Sequence, residues 1–274
     1  MRLRDKVAII TGSTRGVGAE IARAYAREGA RVVVTGRTAE RGKTVVEEIR
    51  AVGGEAVFVA SDLNSEDSVR ALVQAAVNTY ERIDVLVNNA AATETIPTGA
   101  KPVDQLSTEE FELGMRVAVY GTFWASKYAL PHIVAAGGGS VVNIGSMTGT
   151  RGFPLTPAYA ASKGAVHALS RQMAADYGPH NIRVNTIIIG LVITELSAGV
   201  AGTPELAAGT VGLQFIPRLG QTADVAHLAV YLGSDESTFV TASELVVDAG
   251  STVKGPMLAA SFELGTEMAA RDDD

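Results

Sequence analysis

The sequence predicts an α/β fold, a doubly wound and mainly parallel sheet of seven strands with helices on both faces. Three observations lead there. Short β-branched runs alternate with longer segments of helical periodicity along most of the 274 residues. The β runs are nearly all apolar instead of alternating with polar residues, as befits strands covered on both faces. No linker or internal repeat interrupts the series, so it belongs to a single domain joined by right-handed crossovers.

KVAIIT at 6–11 is the first strand, and a helix follows over 17–29. ARVVVT at 30–35 and a helix over 39–52 come next, then EAVFVA at 55–60 and a helix over 66–80. IDVLVN at 83–88 leads through a weakly patterned 92–105 to a long helix over 109–136. SVVNIG at 140–145, a helix over 157–177 and IRVNTIII at 182–189 continue the series, and a helix over 222–233 precedes the last strand, ELVVD at 244–248. Thr38 and Ser65 stand where N-caps would, and Ser107 with Glu110 three residues on has the form of a capping box. The stretch 195–215 is small and apolar, as a loop closing over an uncharged substrate would be. The domain is assigned to 1–252, and 253–274, which ends in ARDDD, is expected to be a C-terminal tail, either mobile or folded over a neighbouring subunit.

Composition removes several functions. A net charge of −7 argues against a nucleic-acid partner. The chain has no cysteine, which excludes disulfides, zinc–cysteine sites and thiol catalysis. Its four histidines are scattered without ligand spacing, so no metal site is expected. MRLRDKVAIITGS turns polar too quickly for a secretory signal, and no apolar run reaches the roughly 18–20 residues that cross a bilayer. A soluble cytoplasmic protein, without a membrane partner, is the expectation.

TGSTRGVG at 11–18 follows the first strand and opens a helix. In that context Gly12 permits the tight turn, Gly16 lets backbone approach a pyrophosphate, and Gly18 allows close packing of helix on strand. The helix N-terminus then offers N–H groups to phosphate, so the fold is of the Rossmann type. At the end of the second strand a carboxylate would accept from the ribose 2′-hydroxyl of NAD. VVVTGRT has Gly36 there and Arg37 next, with Arg15 inside the glycine turn. Two guanidiniums and no acid suit a 2′-phosphate, which points to NADP(H).

Tyr159 precedes Lys163 by four residues, so on a helix both leave the same face one turn apart. A phenol near an ammonium can exchange a proton with a carbonyl oxygen while a nicotinamide exchanges the hydride. Ser146, closing a strand at the carboxyl edge of the sheet, could hydrogen-bond the same oxygen.

These motifs together resemble the short-chain dehydrogenase/reductase family over about residues 5–252. Thr11, Gly12, Gly16 and Gly18 match its TGxxxGxG turn. Asp62 matches the acid that meets the adenine, and Asn88, Asn89 and Ala90 match the start of NNAG, with Ala91 replacing the glycine. Ser146, thirteen residues before Tyr159, and Tyr159 with Lys163 match the catalytic serine and YxxxK. Gly190, Val192 and Thr194 match PGxVxT, which normally holds the nicotinamide carboxamide; Ile189 stands in place of proline. The resemblance implies that Gly12, Ser13, Thr14, Arg15, Gly16, Val17, Gly18, Arg37, Asp62, Leu63, Asn89, Ala90, Tyr159, Lys163, Gly190, Val192 and Thr194 contact the cofactor. It implies a homotetramer acting on a small carbonyl or alcohol substrate, with Tyr159 as acid/base, Lys163 as its electrostatic partner and Ser146 holding the substrate oxygen.

One departure is larger. The family's VNLxGTF carries an asparagine thought to hold a water behind the lysine, whereas RVAVYGTF has Ala118 there. Gln172 and Asn89 are the polar substitutes the sequence offers. A cofactor-binding regulatory protein without catalysis, or a lyase or epimerase using the same pair, therefore stays open beside carbonyl reductase or alcohol dehydrogenase. Trp124, Phe123 and Tyr128 read as core or subunit contacts, His167 as a helix-face residue, and Glu94, Asp104 and Glu195 as flanking the cleft without an assigned role.

Overall fold

Seven apolar runs pair as one sheet in the computed structural model, which describes residues 1–91, 100–195, 197 and 203–255. The strands are β1 (Val7–Ile10), β2 (Arg31–Gly36), β3 (Glu55–Ala60), β4 (Val85–Asn88), β5 (Gly139–Ser146), β6 (Ile182–Ile189) and β7 (Glu244–Val247). Their order is β3-β2-β1-β4-β5-β6-β7, and every neighbouring pair is parallel. The helices are α1 (Gly16–Arg27), α2 (Ala39–Ala51), α3 (Glu66–Tyr80), α4 (Thr108–Met115), α5 (Gly121–Ala135), α6 (Pro157–Tyr177), α7 (Pro204–Gly212) and α8 (Thr222–Gly233).

Successive side chains of a strand point to opposite faces, so an all-apolar strand needs cover on both. Ala8, Ile10, Val32, Val34, Val85, Val87, Val142 and Ile144 pack with α1, α2 and α8 on one face. Val7, Ile9, Val33, Leu86 and Val141 pack with α3, α5 and α6 on the other. Across the first face the buried Tyr25 hydroxyl of α1 donates to Ala229 O of α8 at 2.7 Å. The strand order reverses between β1 and β4, where open sheets of this kind bind ligands at the carboxyl edge.

The expected helix over 109–136 is interrupted. Arg116–Tyr120 form a π-helical turn between α4 and α5, closed by the Gly121 N–H donating to Arg116 O. Close packing accompanies the break: a Cβ on Gly114 would press on Ala158, one on Gly121 would press on Leu63, and Ala118 is buried between them in sequence. The weakly patterned stretch 195–215 contains a helix, α7. Ser107 makes the capping box and Ser65 accepts from Ser68 N, but Thr38 stands at its N-cap position without a side-chain bond. The expected tail from 253 lies outside the described residues beyond 255, as does Glu94. No helix among the described residues is long and apolar enough to cross a membrane.

Candidate active site

The turn from β1 into α1 places Gly12 at φ +63° and Gly16 at φ +57°, left-handed conformations that a side chain would strain. Gly18 meets the same turn from above, where a Cβ would collide with Gly12 O and the Asn89 side chain. Asn89, at the end of β4, braces the turn: its Nδ2 donates to Thr11 O at 3.0 Å and Gly12 O at 3.1 Å. The Thr11 hydroxyl in turn accepts from the N–H groups of Asn89 and Ala90. Helix α1 then begins at Arg15 with no side-chain cap and no acid in its first turn. Its first N–H groups and the positive end of its dipole suit an anion.

From this turn a cleft of ≈ 580 Å³ runs in both directions along the sheet edge. At one end lie Thr14, Arg15, Gly36, Arg37, Asp62 and Leu63, joined by Thr38 and Arg41, which sequence reasoning missed. Arg41 stands in the first turn of α2 just after the N-cap Thr38, and a further guanidinium close behind Arg37 was the available signal. Asp62 is held by its own loop, with Oδ1 accepting from Asn64 N and Nδ2 at 3.0 Å. Gly36 packs so closely that a Cβ there would stand 2.7 Å from the Thr14 methyl. Ser13 is placed differently from its expected role as a cofactor contact. It is fully buried behind the cleft wall, its hydroxyl donating to Ile10 O at 2.6 Å and accepting from Thr35 N at 2.9 Å, so it welds β1 to β2.

At the other end, β5 delivers Ser146 and α6 delivers Tyr159 and Lys163 to one wall. Ser146 Oγ accepts from Thr148 N at 3.3 Å and Thr148 Oγ1 at 2.9 Å, which leaves the serine proton to be given elsewhere. Lys163 is 3 % exposed and donates from Nζ to Ile144 O at 2.6 Å, with Nζ 5.8 Å from the Tyr159 ring centroid. Burial brings its ammonium down to about 8, so it stays mostly charged at neutral pH. Burial pushes the Tyr159 phenol up, and a hydrogen bond with Ser146 opposes that. The sequence makes Lys163 the electrostatic partner of Tyr159. The structure turns the ammonium toward a backbone carbonyl, and desolvation governs both groups. A raised phenol is a protonated one at neutral pH, the form that gives a proton to a carbonyl oxygen.

The far wall comes from the end of β6: Gly190, Val192 and Thr194 face the cleft, with Ser197 beside them. Ile189 continues the ladder between Ser146 and Val247, a pairing that a proline would weaken. Thr194 and Ser197 bond each other, and Ser197 Oγ donates to Val192 O at 2.7 Å.

Ala118 is buried and does not line the cleft, and neither polar substitute stands in for the missing amide. Gln172 is exposed and bonds Asp176, while the Asn89 donors hold the glycine turn. A buried amide chain lies next to the Lys163 acceptor instead. Asn88 Nδ2 donates to Asn143 Oδ1 at 2.8 Å and Asn143 Nδ2 to Ser170 Oγ at 2.7 Å, with Asn88 Oδ1 buried and without a hydrogen-bond partner. Asp104 and Glu195 are exposed and outside the cleft lining. Trp124 and Tyr128 pack against the α3–α5–α6 face, whereas Phe123 is exposed. Among the described residues, no group of three His, Cys, Asp or Glu could hold a metal ion.

The lining fits a nicotinamide dinucleotide. An uncapped helix start lies at its centre, guanidiniums stand at one end, and a hydroxyl, a phenol and an ammonium stand at the other. A family model described as enoyl-(acyl carrier protein) reductase matches residues 12–252. A cyclopentanol dehydrogenase of Comamonas sp. (strain NCIMB 9872) is 35% identical over 92% of this chain and 98% of its own. A gluconate 5-dehydrogenase from Burkholderia cenocepacia J2315, solved with NADP and tartrate, superposes with a TM-score of 0.86 at 31% identity, over 93% of this chain and 98% of its own. A 7α-hydroxysteroid dehydrogenase solved with NADH and 7-oxo glycochenodeoxycholic acid also reaches 0.86, at 36% identity over 91% of this chain and 95% of its own. The two solved relatives carry different nicotinamide cofactors, so likeness alone does not choose between them.

Proposed function

Since the chain belongs to the short-chain dehydrogenase/reductase family of oxidoreductases, we propose that it is an NADP(H)-dependent dehydrogenase that interconverts a secondary alcohol and a ketone. The observation that carries this reading is the joint presence of Ser146, Tyr159 and Lys163 on one wall of a cleft whose centre is the uncapped start of α1. NADP(H), when bound, supplies or accepts the hydride. In the reducing direction Tyr159 gives its proton to the substrate oxygen as charge develops there. Ser146, saturated as an acceptor by Thr148, donates a hydrogen bond to the same oxygen. Lys163 supplies the positive charge that stabilises the phenolate left behind.

Arg15 and Arg37, with Arg41 beside them, support NADP(H) over NAD(H). Leu113, Val117, Met147 and Leu191 line the cleft as well and favour an uncharged substrate surface. That agrees with the small alicyclic alcohol for which the similar cyclopentanol dehydrogenase is named. A homotetramer is also proposed: β7 is an edge strand with Val246 half exposed, and Tyr120 and Phe123 present a second apolar surface. Light scattering would then give four times the 28.4 kDa chain.

The test is NADPH oxidation with a panel including cyclopentanone and 5-ketogluconate, run on wild type and Tyr159→Phe. Oxidation by the wild type and its loss in the variant, with NADPH affinity retained, is the expected result. A protein that is protected by NADPH against melting but oxidises none would be a binder. Product without net change in NADPH would mark a lyase or epimerase. Substantial turnover by Tyr159→Phe would remove the proposed acid/base.

A further inference from the structure

From the packing around β5 we infer that His167, as a neutral imidazole, is a positioning residue that holds Ser146 for catalysis. This rests on the role proposed for Ser146 above. The ring is 3 % exposed and lies on α6 one turn beyond Lys163. Its Nε2 accepts the backbone N–H of Ser146 at 3.3 Å. The chain makes room for it on both sides of the serine: a Cβ on Gly145 would collide with Nε2, and one on Gly149 would stand 2.8 Å from Cε1. Neither glycine has the positive φ that would otherwise explain its choice. The ring therefore sits in a slot between the strand end that carries Ser146 and the turn that carries Thr148, where Gly145 also makes room for the Thr186 methyl and Gly149 for the α6 backbone at Lys163 and Gly164.

An accepting Nε2 fixes the tautomer, with the single ring proton on Nδ1. A second proton would have to sit on Nε2, facing the Ser146 N–H, so two donors would oppose each other and the strand end would shift. The charged groups acting on the ring are Lys163 and Arg171 from α6, which oppose protonation, and Glu244 from β7, which favours it. Burial weighs most and brings the imidazole below its ordinary value. A transition-state contact tolerates little displacement, and misplacement by about 1 Å costs on the order of a hundredfold. Ser146 is thus pinned twice, by Thr148 at its hydroxyl and by His167 at its backbone.

The first test reads the wild-type full chain without asking for activity. Nitrogen-15 spectra of the imidazoles, with His167 assigned by its loss in His167→Gln, should show Nδ1 protonated and Nε2 bare at neutral pH. A proton on Nε2, or titration at or above the ordinary histidine value, overturns the inference. The second compares two variants by NADPH oxidation and by hydrogen exchange at the Ser146 amide. His167→Leu, which removes the acceptor, should lower kcat by about tenfold to a hundredfold, leave NADPH affinity unchanged and speed exchange at that amide. His167→Gln, whose Oε1 can accept but does not titrate in this range, should restore most of kcat and remove the acid-side fall of the pH profile. Full kcat in the leucine variant, or an unchanged acid limb in the glutamine variant, sinks the idea. Should the wild type oxidise no NADPH with any substrate, the enzymatic reading fails on its own. The tautomer and the amide exchange still decide whether His167 holds Ser146.

Discussion

Removing the guanidiniums at the adenosine end should move cofactor preference in steps that the structure allows to be sized. Arg37 is exposed, so a contact to a 2′-phosphate belongs near the low end of charged hydrogen bonds, about 1.5 kcal/mol. That is roughly tenfold in affinity. Arg15 is half-buried at the start of α1, where screening is weaker, and about 2 kcal/mol or roughly thirtyfold is reasonable. Its backbone is extended, with φ −163°, so alanine fits there without strain. If the two act separately, Arg15→Ala/Arg37→Ala should lower kcat/KM for NADPH by about three-hundredfold, with little change for NADH. Steady-state kinetics with both cofactors at low and high salt would measure this, and the Arg37 effect should shrink as salt rises. A carboxylate alone should not complete the switch. Gly36→Asp puts a Cβ 2.7 Å from the Thr14 methyl and 3.1 Å from its hydroxyl, so Thr14 must move. Thr14→Ala/Gly36→Asp is expected to use NADH better than Gly36→Asp alone. An unchanged NADPH to NADH ratio in the double arginine variant would refute the assignment of the 2′-phosphate site.

Two further predictions concern stability. Lys163→Met should abolish turnover yet raise Tm at pH 7. The fall of the ammonium from 10.5 to about 8 corresponds to a burial cost of about 3 kcal/mol, offset by about 2 kcal/mol for the lost charged bond to Ile144 O. The cost is full below pH 8 and disappears as pH rises toward 10.5, so a Tm gap that fails to narrow over that range would contradict it. Asp224 is held down to about 2, chiefly by Arg218, whose two nitrogens bond its carboxylate at 2.7 Å. Its stabilisation is present above pH 3.8 and is lost as pH falls through about 2. Asp224→Asn should therefore cost about 1 kcal/mol at neutral pH, allowing for the exposed Arg218, and the difference from wild type should close in acid melts.

The sheet was legible because burial on both faces leaves a strand no polar residues to confuse the reading; Val7 to Ile10 and Val85 to Val87 needed no context. The cleft residues were legible because glycines, hydroxyls and charges stand at strand ends where an apolar run stops. What escaped was decided by neighbours distant in sequence. The π turn at Arg116–Tyr120 keeps helical periodicity on either side and differs by one hydrogen-bond step, which no apolar pattern records. Ser13 looked like a cofactor contact because it sits in the glycine turn, but β2 claims its hydroxyl. His167 reads as a helix-face residue until its ring is seen packed between Gly145 and Gly149 with Nε2 accepting the Ser146 N–H. Thr148 carried a faint signal, a second hydroxyl two residues from Ser146.

The bracing of the glycine turn by Asn89 has a consequence for how this chain could change. The amide grips Thr11 O and Gly12 O, which are backbone atoms, so the loop keeps its shape whatever side chains stand at 14, 15 and 17. Shape and charge are thereby separable inheritances: one residue just past β4 keeps the cradle, while the residues that read the far end of the ligand are free to drift. A lineage carrying such a strut could exchange one nicotinamide currency for the other by a few surface replacements, with no refolding of the loop between them.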